Sequence, residues 1–67
     1  MMEIYINGEC QQFPEPLSMV ELLQRLELQG DRIAVELNRQ IVRREQWSST
    51  QLREKDRLEI VQFVGGG

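Results

Sequence analysis

One segment of this chain has the period of an amphipathic helix, and most of what flanks it alternates like strand. Met19, Leu22, Leu23 and Leu26 recur at helical spacing with Val20 at the margin, while Glu21, Gln24, Arg25 and Glu27 fall on the other side. Ser18 and Glu21 are spaced as a capping box, Leu17 is placed to staple against Leu22, and Gly30 stands where a C-terminal cap belongs. The sequence therefore predicts a helix from Met19 to Leu28. Ordering 67 residues costs on the order of 100 kcal/mol, so this stripe has to be buried. A single helix can bury it against only one face of a sheet.

The strands can be read from their alternation. Met2, Ile4 and Ile6 share one side and Glu3, Tyr5 and Asn7 the other. Asn7-Gly8 is the strongest short hairpin signal, because both central residues of the tight turn need positive φ. A two-residue loop there pairs Ile6 with Glu9, Ile4 with Gln11 and Met2 with Phe13, which brings Phe13 onto the buried side. Pro14-Glu15-Pro16 ends the hairpin, since proline has no N–H for a ladder. After the helix, Ile33, Val35 and Leu37 face inward and Ala34 and Glu36 outward, Asn38-Arg39 turns the chain, and Gln40 to Val42 returns. Arg43 to Gln46 reads as an irregular or 3₁₀ turn leading to Trp47, a lid over one end of the core, and Ser48 to Lys55 as a polar loop anchored by Leu52. The last strand, Arg57 to Val64, is different. Leu58 and Ile60 continue the inward set, but Val61 and Phe63 are apolar on the other face, where the helix cannot reach. Val61 and Phe63 are the candidate partner-docking residues.

Composition narrows the function classes. The chain has no histidine and a single cysteine, Cys10, which the hairpin register places beside Tyr5 on the outer face. That excludes a disulfide framework and a zinc site, suits a reducing cytoplasm, and leaves no activated nucleophile. Glu36 and Glu59 fall on outer faces, so no general base has a perturbing environment, and an enzyme is the weakest reading. The net charge of -3 argues against nucleic acid, with Arg32, Arg39, Arg43 and Arg44 read as a solvated face or as contacts to an acidic patch on a protein partner. No apolar run approaches a membrane span, and the first residues do not resemble a signal peptide.

Hairpin, helix, short hairpin, irregular turn, strand: the economical solution is α+β, one helix across a mixed four- to five-stranded sheet. This is the ubiquitin-like β-grasp arrangement, in which the first and last strands lie parallel at the centre. Periodicity alone does not separate it from other small α+β sandwiches. The order of elements, the segment Ile41-Val42-Arg43-Arg44-Glu45-Gln46-Trp47 and the ending Phe63-Val64-Gly65-Gly66-Gly67 resemble the ThiS family, the sulfur carriers of thiamine biosynthesis. The resemblance covers essentially the whole chain. Two places depart from the family pattern: Arg43, where many members have proline, and Glu54-Lys55-Asp56, where a glycine-containing turn is common.

The resemblance implies a protein cosubstrate with no cofactor of its own. Residues 1–64 are expected to form the domain and residues 65–67 a flexible tail. The Gly67 carboxylate would be adenylated with ATP by an E1-like activating enzyme and converted to a thiocarboxylate, with sulfur drawn ultimately through a cysteine desulfurase. It would then donate sulfur to thiazole synthase. Gly65 and Gly66 would thread the narrow channels of both enzymes, because glycine has no Cβ. A Gly-Gly end is shared with the molybdopterin-type carrier and with ubiquitin-like modifiers and binding modules, and these remain the alternatives.

Overall fold

The computed structural model describes residues 1–28 and 32–63. Strands β1 (Met2–Ile6) and β2 (Glu9–Phe13) precede helix α1 (Met19–Arg25), followed by β3 (Ile33–Leu37), β4 (Gln40–Val42), a 3₁₀ segment (Arg44–Ser49) and β5 (Arg57–Gln62). The strands form one five-stranded sheet in the order β2-β1-β5-β3-β4. β1 and β5 are parallel, and every other neighbouring pair is antiparallel. The last strand is therefore central and lies beside the first, as the β-grasp order requires.

Both hairpins follow from turn chemistry. Asn7 (φ 49°) and Gly8 (φ 88°) take the left-handed conformation, and the register pairs Ile6 with Glu9 and Met2 with Phe13. The second turn has no glycine. Asn38 (φ 50°) and Arg39 (φ 73°) both accept positive φ, and Leu37 pairs with Gln40 across them.

The alternating residues converge under α1. Met2, Ile4, Leu17, Met19, Leu22, Val35 and Leu58 are fully buried. Each such side chain is worth about 1.5–3 kcal/mol relative to exposure. Trp47 is buried too, with its indole Nε1–H donating to the Val42 carbonyl at 3.0 Å. Leu52 turns inward as expected. Its segment is tied to the helix entrance by the Leu52 N–H to Leu17 carbonyl and Met19 N–H to Thr50 carbonyl bonds. The 3₁₀ segment runs on to Ser49, longer than the Arg43 to Gln46 turn that the sequence suggests, because the hydroxyls of Ser49 and Thr50 both donate to the Gln46 carbonyl.

Helix α1 starts where the sequence places it and ends three residues early. At the entrance the Ser18 N–H donates to Glu21 Oε1 at 2.8 Å, and the Glu21 N–H donates to Ser18 Oγ at 3.2 Å. The Ser18 backbone N–H, then its hydroxyl, holds the Glu21 carboxyl below the usual carboxylate range. At the exit, Leu26 is the cap and Glu27 enters the left-handed region at φ 59°. The Glu27 N–H then donates to the Gln24 carbonyl and the Leu28 N–H to the Leu23 carbonyl, each at 3.0 Å, the paired bonds of a Schellman turn. Leu28 is half-buried against the core, so returning it there closes the turn before Gly30, which lies outside the described residues.

The two departures from the family pattern also find their geometry. Arg43 has φ -74°, within the range of proline, and its N–H donates to Gln46 Oε1. Lys55 has φ 72°, a conformation that glycine adopts without cost.

A residue with a Cβ at the Glu27 position carries a conformational penalty of about 1 kcal/mol. Glu27→Gly should therefore raise stability by ~1 kcal/mol, seen as a higher urea midpoint at unchanged slope. A lower midpoint would contradict this helix ending.

Candidate functional site

The site begins with how β5 is held. In its antiparallel ladder with β3, the backbone groups of Arg57, Glu59, Val61 and Phe63 face β3. The Arg57 carbonyl accepts from the Asn38 N–H at 2.8 Å, and the Phe63 N–H donates to the Arg32 carbonyl at 2.7 Å. The groups of Leu58 and Ile60 face β1. The Asn7 N–H donates to the Leu58 carbonyl, and there the β1 backbone turns away. The Asn7 side chain takes over: its Oδ1 accepts from the Ile60 N–H at 2.7 Å and its Nδ2 donates to the Ile60 carbonyl at 3.1 Å. Asn38 does the equivalent at the other side and the other end of the strand. Its Oδ1 accepts from the Arg57 N–H at 3.0 Å and its Nδ2 donates to Asp56 Oδ1 at 3.1 Å.

What β5 presents is apolar toward its C-terminal end and charged toward its start. Val61 is 53% exposed and Phe63 57% exposed, on the face that α1 leaves uncovered. Ala34 sits opposite Val61 in the ladder. Toward the start of the strand, Glu59 pairs with Glu36, and the Arg57 guanidinium lies over the Tyr5 ring, 4.5 Å from its centroid. Ile41, 75% exposed, pairs with Glu36 and so joins the same face. The expected docking residues Val61 and Phe63 are thus brought together and uncovered. The strand itself stops at Gln62 rather than Val64, although Phe63 keeps its bond to Arg32. Val64 and the expected functional glycines, Gly65, Gly66 and Gly67, lie outside the described residues.

Sequence reading missed three contributors. Ile41 could have been found, because a two-residue turn at Asn38-Arg39 fixes its pairing with Glu36 and hence its face. The bridging roles of Asn7 and Asn38 left no such signal, since positive φ alone accounts for asparagine at both turns.

Elsewhere the molecule offers little chemistry. Cys10 is exposed and faces Tyr5 across the hairpin. Among the described residues no three His, Cys, Asp or Glu side chains cluster as metal ligands, and no helix is long and apolar enough to cross a membrane. A groove lined by Val20, Leu23, Leu28 and Trp47, with Glu27 and Arg44 beside them, lies on the helix side of the sheet, away from Val61 and Phe63.

The sequence model of the ThiS family matches residues 4–67, almost the entire chain and its glycine end. The chain belongs to the ThiS family. The sulfur carrier protein ThiS of Escherichia coli (strain K12) is 32% identical over 98% of this chain and 100% of its own length. The crystal structure of the thiamine biosynthesis protein ThiS from Geobacter metallireducens superposes with a TM-score of 0.85 at 33% identity, covering 98% of this chain and 100% of that one. A third relative is much longer. The thiazole synthase of Paramagnetospirillum magneticum is 36% identical over 98% of this chain, but the match takes up only 20% of that protein. A segment of the ThiS kind thus exists within a polypeptide named as the synthase.

If the Asn7 amide carries the β1–β5 pairing past the turn, Asn7→Gly, which keeps positive φ accessible, should cost about 1–2 kcal/mol through its two lost bonds. Chemical denaturation reads this as a lowered midpoint, and an unchanged midpoint would refute the bridging role.

Proposed function

We propose that this chain is a sulfur carrier protein of thiamine biosynthesis, with residues 1–64 as its body and residues 65–67 as the delivering tail. The observation that carries the reading is the family match running to the last glycine, on a chain whose central strand, with the residue that follows it, keeps Val61 and Phe63 exposed just before that end.

The chemistry follows from the terminal group. A carboxylate is not an electrophile at neutral pH, so sulfur can join Gly67 only after activation. In the first step its oxygen attacks the α-phosphate of ATP on an E1-like adenylating enzyme, forming the acyl-adenylate and releasing pyrophosphate. The terminal sulfur of a persulfide, supplied through a cysteine desulfurase, then attacks the acyl carbon and expels AMP. A thiol cleaves the resulting S–S bond and leaves the Gly67 thiocarboxylate. Its soft, ionised sulfur suits attack on a carbonyl-derived carbon in thiazole synthase, after which the carboxylate is regenerated. The carrier is a cosubstrate rather than an enzyme, and a cytoplasmic setting supplies the ATP and thiols it needs.

Val61 and Phe63 are the docking residues in this scheme, and Gly65 and Gly66 thread the channel. A body that keeps two large apolar side chains in water gains their burial on docking, which offsets the ~1–2 kcal/mol lost for each glycine that becomes ordered. The long relative that unites a ThiS-like segment with thiazole synthase supports that enzyme as a partner.

Incubated with the activating enzyme of its own organism, ATP, a desulfurase and cysteine, the intact chain should gain ~16 Da, the difference between sulfur and oxygen. The chain lacking Gly67 should gain nothing and keep its unfolding midpoint. Absence of the gain in the intact chain would overturn the carrier reading. Rescue of a molybdenum cofactor mutant rather than a thiamine auxotroph would assign the carrier to the other pathway.

A further inference from the structure

Among the described residues, the hydrogen bonds of β5 leave one residue with an unmade pair. The strand alternates: odd-numbered residues turn their backbone groups to β3, even-numbered residues to β1. Leu58 is met by the Asn7 N–H and Ile60 by the Asn7 side chain. The next even residue is Gln62. It pairs with Ile33 at a position of the antiparallel ladder where the two residues exchange no bonds, as the bonded Phe63 and Arg32 beside it fix. Its N–H and C=O therefore face the side that β1 has vacated by turning at Asn7-Gly8, and among the described residues nothing meets them. Gln62 itself is exposed. An unpaired donor and acceptor on a central strand, between two exposed apolar side chains, is the pattern that an added strand satisfies.

We infer that thiazole synthase receives this protein by laying an extended segment of its own chain into the lane beside Gln62. One bond would be donated by the Gln62 N–H and one accepted by its carbonyl, while Val61 and Phe63 are covered from the outer face. This deepens the carrier reading and rests on it. The synthase is favoured over other occupants because a long relative already joins a ThiS-like segment to that enzyme in one chain, and because the lane adjoins the root of the tail that the synthase must admit. The pairing would also set direction, since a strand docked here is aligned with β5 and leads the chain end into the enzyme along the same axis.

The experiment is amide hydrogen exchange on the full 67-residue chain, alone and saturated with the thiazole synthase of the same organism. It is combined with a synthetic chain in which the Val61–Gln62 amide is replaced by an ester. Alone, the Gln62 amide should exchange rapidly while those of Val61 and Phe63 are slow, and the synthase should make it slow. The ester chain should bind the synthase about fivefold to tenfold more weakly, the value of one lost bond, whereas Gln62→Ala, which keeps the backbone, should bind normally. A Gln62 amide that stays fast in the saturated complex overturns the pairing. So does one that is slow in the chain alone, which points to a second copy, or one slowed by the activating enzyme and not by the synthase. Mass gain on Gly67 without Gln62 protection leaves the carrier reading standing and removes only this inference. No mass gain and no binding removes both.

Discussion

β5 is held from both sides, and the rest of the structure depends on that. Its odd-numbered residues are bonded along β3, and its even-numbered ones are met first by the β1 backbone and then by the side-chain amide of Asn7. Leu58, one of its own residues, is fully buried in the core cluster that also holds Met19, Leu22 and Leu23 of the helix. A parallel strand cannot reach its neighbour through a tight turn, so nothing local sets the β1–β5 register. Asn7 supplies what sequence proximity cannot, as a turn residue that also clips Ile60 at two points, and Asn38 makes a second two-point clip on the β3 side of the strand's start.

A fixed strand matters for the delivering tail proposed for residues 65–67. Three glycines span at most about 10 Å when extended and lose backbone entropy when ordered. In the proposed carrier role, a tail of that length can deliver its carboxylate to a defined place only if its root is fixed relative to the docking surface. Val61 lies on β5 and Phe63 directly follows it, bonded to the Arg32 carbonyl, so in the proposed role the docking side chains are held by the central strand that leads toward the tail. In the proposed carrier role a chain with no histidine contributes a position and a terminus, and the reactivity is left to its partners.

Much of this was legible in the residues. The Asn7-Gly8 turn and the apolar alternation fixed the first hairpin to the residue, because turn type and buried face agree on one register. The capping box marked where α1 begins, since its two bonds need only Ser18 and Glu21 at the right spacing. The helix end was misread because glycine is the usual left-handed residue and Gly30 stood nearby. The pull of Leu28 back to the core put Glu27 into that conformation instead, a tertiary effect that no local pattern encodes. The exposed character of Val61 and Phe63 followed from counting faces: one helix covers one side. The clips made by Asn7 and Asn38 were hidden, because they join residues about fifty and twenty positions apart in the chain through side chains already explained by their turns.

The central claim is that β5 is fixed through Ile60 as firmly as through its ladder with β3. Native-state hydrogen exchange tests it at one amide. The Ile60 N–H, bonded to Asn7 Oδ1, should exchange as slowly as the neighbouring Val61 amide, both opening only with global unfolding. An Ile60 amide that exchanges at the rate of a loop residue while Val61 stays protected would mean that the strand is held on one side alone.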